Sequence, residues 1–131
     1  MKIKTEAKEA AHRLVQQQIR QGYKLSSLHE YIDRNGNPVY WRVRLDHPLG
    51  GKYIRPLSCV DGEWVLKEPK FKNGKPIYRL LGVLLDSESD VWIVEGEKCA
   101  DSLAELGLVT ITSGSSSSAE SADWSHLSNR R

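Results

Sequence analysis

The chain of 131 residues has the length of one domain, which excludes a multi-domain enzyme. With 39% hydrophobic and 27% charged residues it has material for one modest core and is too apolar to be wholly disordered. Its net charge of +2 conceals an asymmetry. Between residues 42 and 79 nine bases (Arg42, Arg44, Lys52, Arg55, Lys67, Lys70, Lys72, Lys75, Arg79) face four acids, whereas between 86 and 105 seven acids face only Lys98. A basic stretch beside an acidic one suggests a polyanion surface next to a cation-binding one.

No apolar run approaches the roughly 20 residues of a membrane-spanning helix, so a membrane protein is excluded. Met1-Lys2-Ile3-Lys4 leads into charged and small residues, not a signal peptide, and a cytoplasmic location is the expectation. Cys59 and Cys99 are too few for a thiolate zinc site, and the four histidines lack finger-like spacing with them. Both cysteines are expected as free thiols.

Taken in chain order, residues 5–21 read as a helix that Thr5 can cap and Gly22 can stop, with Ala7, Ala11, Leu14, Val15 and Ile19 on a thin apolar stripe. Residues 31–66 read as β-structure. Val39, Trp41, Val43 and Leu45 alternate with Tyr40, Arg42 and Arg44, and Asn35-Gly36 makes a hairpin with residues 31–33. Further strands are expected at 52–57 and, after Asp61-Gly62, at 63–66. A loop at 67–76 with Asn73-Gly74 at its tip leads to a short helix within 77–85. Then Val91-Trp92-Ile93-Val94 reads as a strand covered on both faces, residues 99–106 as a helix ended by Gly107, and residues 109–112 as a second buried strand. Strand, helix, glycine, strand is a βαβ unit, which demands a parallel pair. The serine-rich loop at 113–118 and a helical turn at 119–123 follow. The fold class expected is therefore α+β: an N-terminal helix (1–24), a basic antiparallel β-region (25–85) and a partial α/β half-domain with parallel strands (86–131).

Two places can carry chemistry. The segment Ile93-Val94-Glu95-Gly96-Glu97-Lys98 takes a strand into a helix through a glycine turn, and open α/β sheets hold ligands outside the carboxyl ends of their strands. The helix start would also favour a phosphate. The plainer alternative is that Glu95 complements the helix dipole while Glu97 and Lys98 are solvated. The second place is the β-region. Tyr40, Arg42 and Arg44 on one strand, with Tyr53 and Arg55 on another, would offer stacking and cationic groups, and Lys52, Lys70, Lys72 and Lys75 would meet phosphates. Its alternative is a solvated sheet face of Arg–Asp pairs. Trp41, Trp64 and Trp92 fit the core, and His29, His47 and His126 are treated as surface residues.

Residues 94–98, continuing through Ala100-Asp101-Ser102-Leu103 to Leu106-Gly107-Leu108-Val109, closely resemble the first motif of the Toprim domain shared by topoisomerases, bacterial-type primases and related nucleases. In particular the chain resembles primases and primase-helicases of phages and mobile elements, which carry a similar β-rich stretch and a phrase like Gly74-Lys75-Pro76-Ile77-Tyr78-Arg79-Leu80. The resemblance implies that Glu95 is catalytic, as general acid/base or metal ligand, with Glu97 and Asp101 as weak helpers and Lys98 on nucleic acid. It also implies Mg²⁺ held by an Asp-x-Asp pair after the next strand. The sequence stops at Asn129-Arg130-Arg131, short of that pair. Several carboxylates are needed around Mg²⁺, so no tight binding is expected here. Cys99 stands where many Toprim sequences place an aspartate, the serine run replaces a glycine-richer stretch, and no cysteine precedes Cys59 to build a zinc ribbon.

The resemblance therefore implies the N-terminal part of a Toprim primase, binding single-stranded DNA or RNA, completed by the rest of the primase or a helicase, and inactive alone. The intact parent would synthesise RNA primers. The alternative is a stand-alone phage-derived binding protein that inhibits a nucleic-acid enzyme such as a host defence nuclease, with a protein target. A third reading is a degenerate nuclease using Glu95 and Glu97 with a partner chain's carboxylates.

Overall fold

The computed structural model describes residues 2–71, 74–114 and 122–127, the side chains of residues 2–4 apart. Lys72, Asn73, the serine loop at 115–118 and residues 119–121 of the expected helical turn lie outside the described residues. The fold class is α+β, with an antiparallel four-stranded sheet and a parallel two-stranded one. By their contacts the residues group into two compact units: Met1–Glu30 with Val39–Pro69, and Tyr31–Pro38 with Lys70–Arg131.

In the first unit the single helix expected is two, α1 (Lys2–Leu14) and α2 (Gln16–Arg20). They are divided at Val15, whose φ of −107° and ψ of 20° leave the helical region while its side chain is buried. Gly22, at a φ of +103°, ends α2: its N–H donates to the Ile19 carbonyl and the Tyr23 N–H reaches back to Gln18. The sheet that follows has the order β1 (Lys24–Ile32), β2 (Pro38–Asp46), β3 (Lys52–Val60), β4 (Glu63–Val65). β1 is far longer than the three residues expected, because Leu25-Ser26-Ser27-Leu28 has no alternation to reveal it. At the hairpin Asp33 accepts the Asn35 and Asn37 N–H groups on one oxygen, and Gly36 supplies the positive φ. Pro56 is tolerated in β3 because β4 pairs only with Ser58–Val60, which leaves the strand an edge at the proline.

The apolar set of β2 packs as its alternation dictates. Trp41, Val43 and Leu45 join Leu57 of β3 and Ala7, Ala11 and Val15 of the helices in one buried cluster, with the Trp64 ring tilted against that of Trp41, centroids 5.1 Å apart.

The second unit holds α3 (Leu80–Leu85), β5 (Val91–Ile93), α4 (Glu97–Ala104) and β6 (Val109–Ile111). β5 and β6 pair in parallel, Val91 opposite Val109 and Ile93 opposite Ile111, so the βαβ unit is present. Gly107 ends α4 as Gly22 ends α2. Ile77, Leu80, Val83 and Ile111 form the core. Burial corrects one expectation: β6 is covered on both faces, but β5 is not, Trp92 being 52% and Ile93 59% exposed. A continuous apolar run reports low polarity, not the number of layers that cover it.

Candidate functional site

Glu95 stands exposed in the turn between the carboxyl end of β5 and the first turn of α4, the place the βαβ unit assigned to it. Gly96 occupies the N-cap in an extended conformation and its carbonyl accepts the Ala100 N–H, so the helix begins with no side-chain cap. Lys98 is exposed on that first turn.

Glu97 is a different residue from the one expected. It is 6% exposed, and Tyr31 donates its phenol to Oε2 at 2.8 Å. One helical turn on, Asp101 accepts the Tyr78 phenol at 3.2 Å on one oxygen and Arg79 Nη1 at 2.8 Å on the other. The Tyr31 and Tyr78 rings lie 5.3 Å apart, so the two carboxyl groups share one aromatic pair as their donor wall. Burial, then the charge of Asp101 and its hydrogen bond, hold the Tyr78 phenol above its ordinary value of 10.0.

These contacts correct the solvated reading of Glu97 and decide the fit of a metal. Glu97 and Asp101 are turned to tyrosine and arginine partners and do not converge with Glu95. Among the described residues no three His, Cys, Asp or Glu side chains are grouped to hold an ion. The set Glu95, Glu97, Asp101 does not fit Mg²⁺, and no chemical step is derived through it.

The basic surface divides as well. In the β2–β3 ladder Val43 lies opposite Arg55 and Leu45 opposite Tyr53, while Arg42 lies opposite Pro56 and Arg44 opposite Ile54. Residues directly opposite share a face, so Tyr53 and Arg55 belong with the apolar set and not with Arg42 and Arg44. Tyr53 packs beside the core, and Arg55 donates to its hydroxyl and to the Leu66 carbonyl. Tyr40 is 1% exposed and offers no ring for a base to stack on; Ser58 is buried at that end of the same face. The far end of that face carries the half-buried Arg42 and Arg44 and the exposed Lys52, with Asp46 bound to Arg44 at 3.2 Å. The Arg–Asp pair of the plainer alternative is thus present. Lys70, Lys75 and Lys98 lie in the second unit, Lys70 and Lys98 exposed and Lys75 half-buried in a bridge with Ala122.

Two further sequence assignments change. Trp92 is not a core residue, and His29 is not a surface one: its ring is buried against the Ser27 hydroxyl at 3.0 Å. Both cysteines are free and exposed. Among the described residues no helix is long and apolar enough to cross a membrane. The tyrosines that engage Glu97 and Asp101 had one sequence signal, Tyr78-Arg79 within the phrase at residues 74–80; Tyr31 had none. No protein family, curated protein or solved structure matches the chain.

Proposed function

We propose that the chain is part of a Toprim-type primase of a phage or mobile element, acts in the cytoplasm and binds single-stranded nucleic acid. The observation that carries this reading is the exposed Glu95 at the carboxyl end of a parallel strand, in the turn that opens α4. A carboxylate there can take or give a proton at a bound sugar hydroxyl, while the nearby helix start and Lys98 favour phosphate. Primer synthesis needs metal-holding carboxylates as well, and no Asp-x-Asp pair occurs in these 131 residues. The chain by itself is therefore a binding element, with Arg42, Arg44 and Lys52 as its phosphate contacts. Glu97 and Asp101 fix α4 through the two tyrosines and so hold the turn that carries Glu95.

Binding of a fluorescently labelled oligothymidylate tests this. The wild-type chain is expected to bind with an affinity that falls as salt rises, and the variant Arg42→Ala/Arg44→Ala/Lys52→Ala to bind at least about tenfold more weakly. Equal affinity of the two proteins would remove the nucleic-acid reading. The engagement of Glu97 and Asp101 also favours a second reading, a phage-derived inhibitor with a protein target. In that case the oligonucleotide would not bind, and a nuclease would lose activity on titration with the chain.

A further inference from the structure

The strand β1 carries polar residues that packing alone does not call for. Ser27 and His29, two apart, share a face, and the His29 ring is buried with Nε2 3.0 Å from the Ser27 hydroxyl. Ser27 opens on a groove of about 400 Å³ between α1 and β1. Lys8 and His12, one turn apart on α1, form one wall, and Leu25, Ser26, Ser27 and Leu28 form the other. No acid lines it. Lys8 and His12 are exposed, and among the described residues neither side chain has an ion pair or hydrogen bond. The groove belongs wholly to the first unit, and every residue from 5 to 69 is described.

The polar groups are donors. Lys8 brings a positive charge, and the His12 ring donates from one nitrogen even when neutral. With its proton on Nε2, His29 donates to Ser27 and leaves the serine hydrogen free for the groove. Ser26 is already engaged, its hydroxyl donating to the Arg44 carbonyl at 3.1 Å.

Charge and size decide what fits there. A terminal phosphate shows three acceptor oxygens and carries a charge of about −1.5 to −2 at pH 7, which suits three donors on facing walls. No unmodified side chain carries that charge, so the match is to a ligand and not to a further segment of polypeptide. The half-buried Leu25 and Leu28 offer apolar surface to the organic part of an ester, and the volume lies within the roughly 300–1,000 Å³ of small-molecule sites.

We infer that the groove between α1 and β1 binds the terminal phosphate of a phosphomonoester, with Lys8, His12 and Ser27 on its oxygens and Leu25 and Leu28 against its organic part. This rests on the lining of the groove and not on the primase reading.

The test titrates the full chain with phenyl phosphate and follows the amide resonances. Saturable shifts are expected at Lys8, His12 and Ser27, and benzoate is expected to bind at least about tenfold more weakly. Lys8→Ala/His12→Ala, two changes at exposed positions, is expected to weaken the ester at least about tenfold while the urea midpoint stays as in the wild type. Ser27 resonances that do not move, equal affinity for benzoate, or equal affinity of the variant would each overturn the inference. An oligothymidylate with a 5′-phosphate and its 5′-hydroxyl twin identify the source of the phosphate. Tighter binding of the phosphorylated strand, lost in the variant, assigns the groove to a nucleic-acid end; equal binding of the two strands beside a bound phenyl phosphate assigns it to a small ester.

Discussion

Glu97 and Asp101 sit one turn apart on α4, and each accepts the phenol of a tyrosine distant in sequence. Removing the Tyr31 hydroxyl takes one of its hydrogen bonds from a buried carboxyl group. Tyr31→Phe is therefore expected to lower unfolding free energy by about 1–3 kcal/mol in urea titration, more than an exposed tyrosine would. Tyr78 carries a pH dependence of definite sign. Its phenol keeps a proton in the folded protein that the unfolded chain loses near pH 10.0, the cause being burial first and Asp101 second. The stabilisation is present below that pH and is lost as pH rises above it. The urea midpoint of the wild type should fall through this range more steeply than that of Tyr78→Phe; parallel curves would mean that the phenol is not held. Neither tyrosine's partner is legible in the sequence, since the contacts span 66 and 23 residues and no periodicity encodes them.

The elements were more legible than their surroundings. Gly22 and Gly107 mark helix ends because each supplies the left-handed φ that closes the last turn, a requirement local enough to be written in one residue. Asn35-Gly36 and Asp61-Gly62 mark the β1–β2 and β3–β4 hairpins for the same reason. The two strands of the parallel pair, by contrast, read alike and are not alike. Ile111 is fully buried and Ile93 is largely exposed. Ile111→Ala should cost about 2–5 kcal/mol by loss of transfer energy and an unfilled cavity, and Ile93→Ala no more than about 0.5 kcal/mol. Thermal or urea unfolding of the two variants checks this; equal losses would mean that β5 is covered after all.

At the scale of the molecule, charge follows the two compact units. The first holds eleven bases and seven acids and so carries +4, whereas the second holds eight bases and ten acids and carries −2. The positive unit carries Arg42, Arg44 and Lys52, and the negative one carries the acids that flank β5. If three cations meet phosphates, the logarithm of single-strand affinity should fall against the logarithm of salt with a slope of about −2. The ion pair of Arg44 with Asp46 does not prevent this, since the pair is only partly buried and one in contact with solvent is worth about 1 kcal/mol. A slope near zero would mean that the open end of the sheet does not touch the backbone of the nucleic acid.

The sequence by itself determined the α+β class, the glycine stops of α2 and α4, the turns at Asn35-Gly36 and Asp61-Gly62 and the parallel crossover, because each follows from the spacing of apolar residues and glycines over a few positions. Tertiary structure alone decided the rest. The ladder register put Tyr53 and Arg55 on the face opposite to Arg42 and Arg44, and a shift of one residue would have reversed that. Burial closed Tyr40 and Glu97 and left Trp92 open, because accessibility depends on which layers reach a strand or helix, and those layers come from residues far away in the chain.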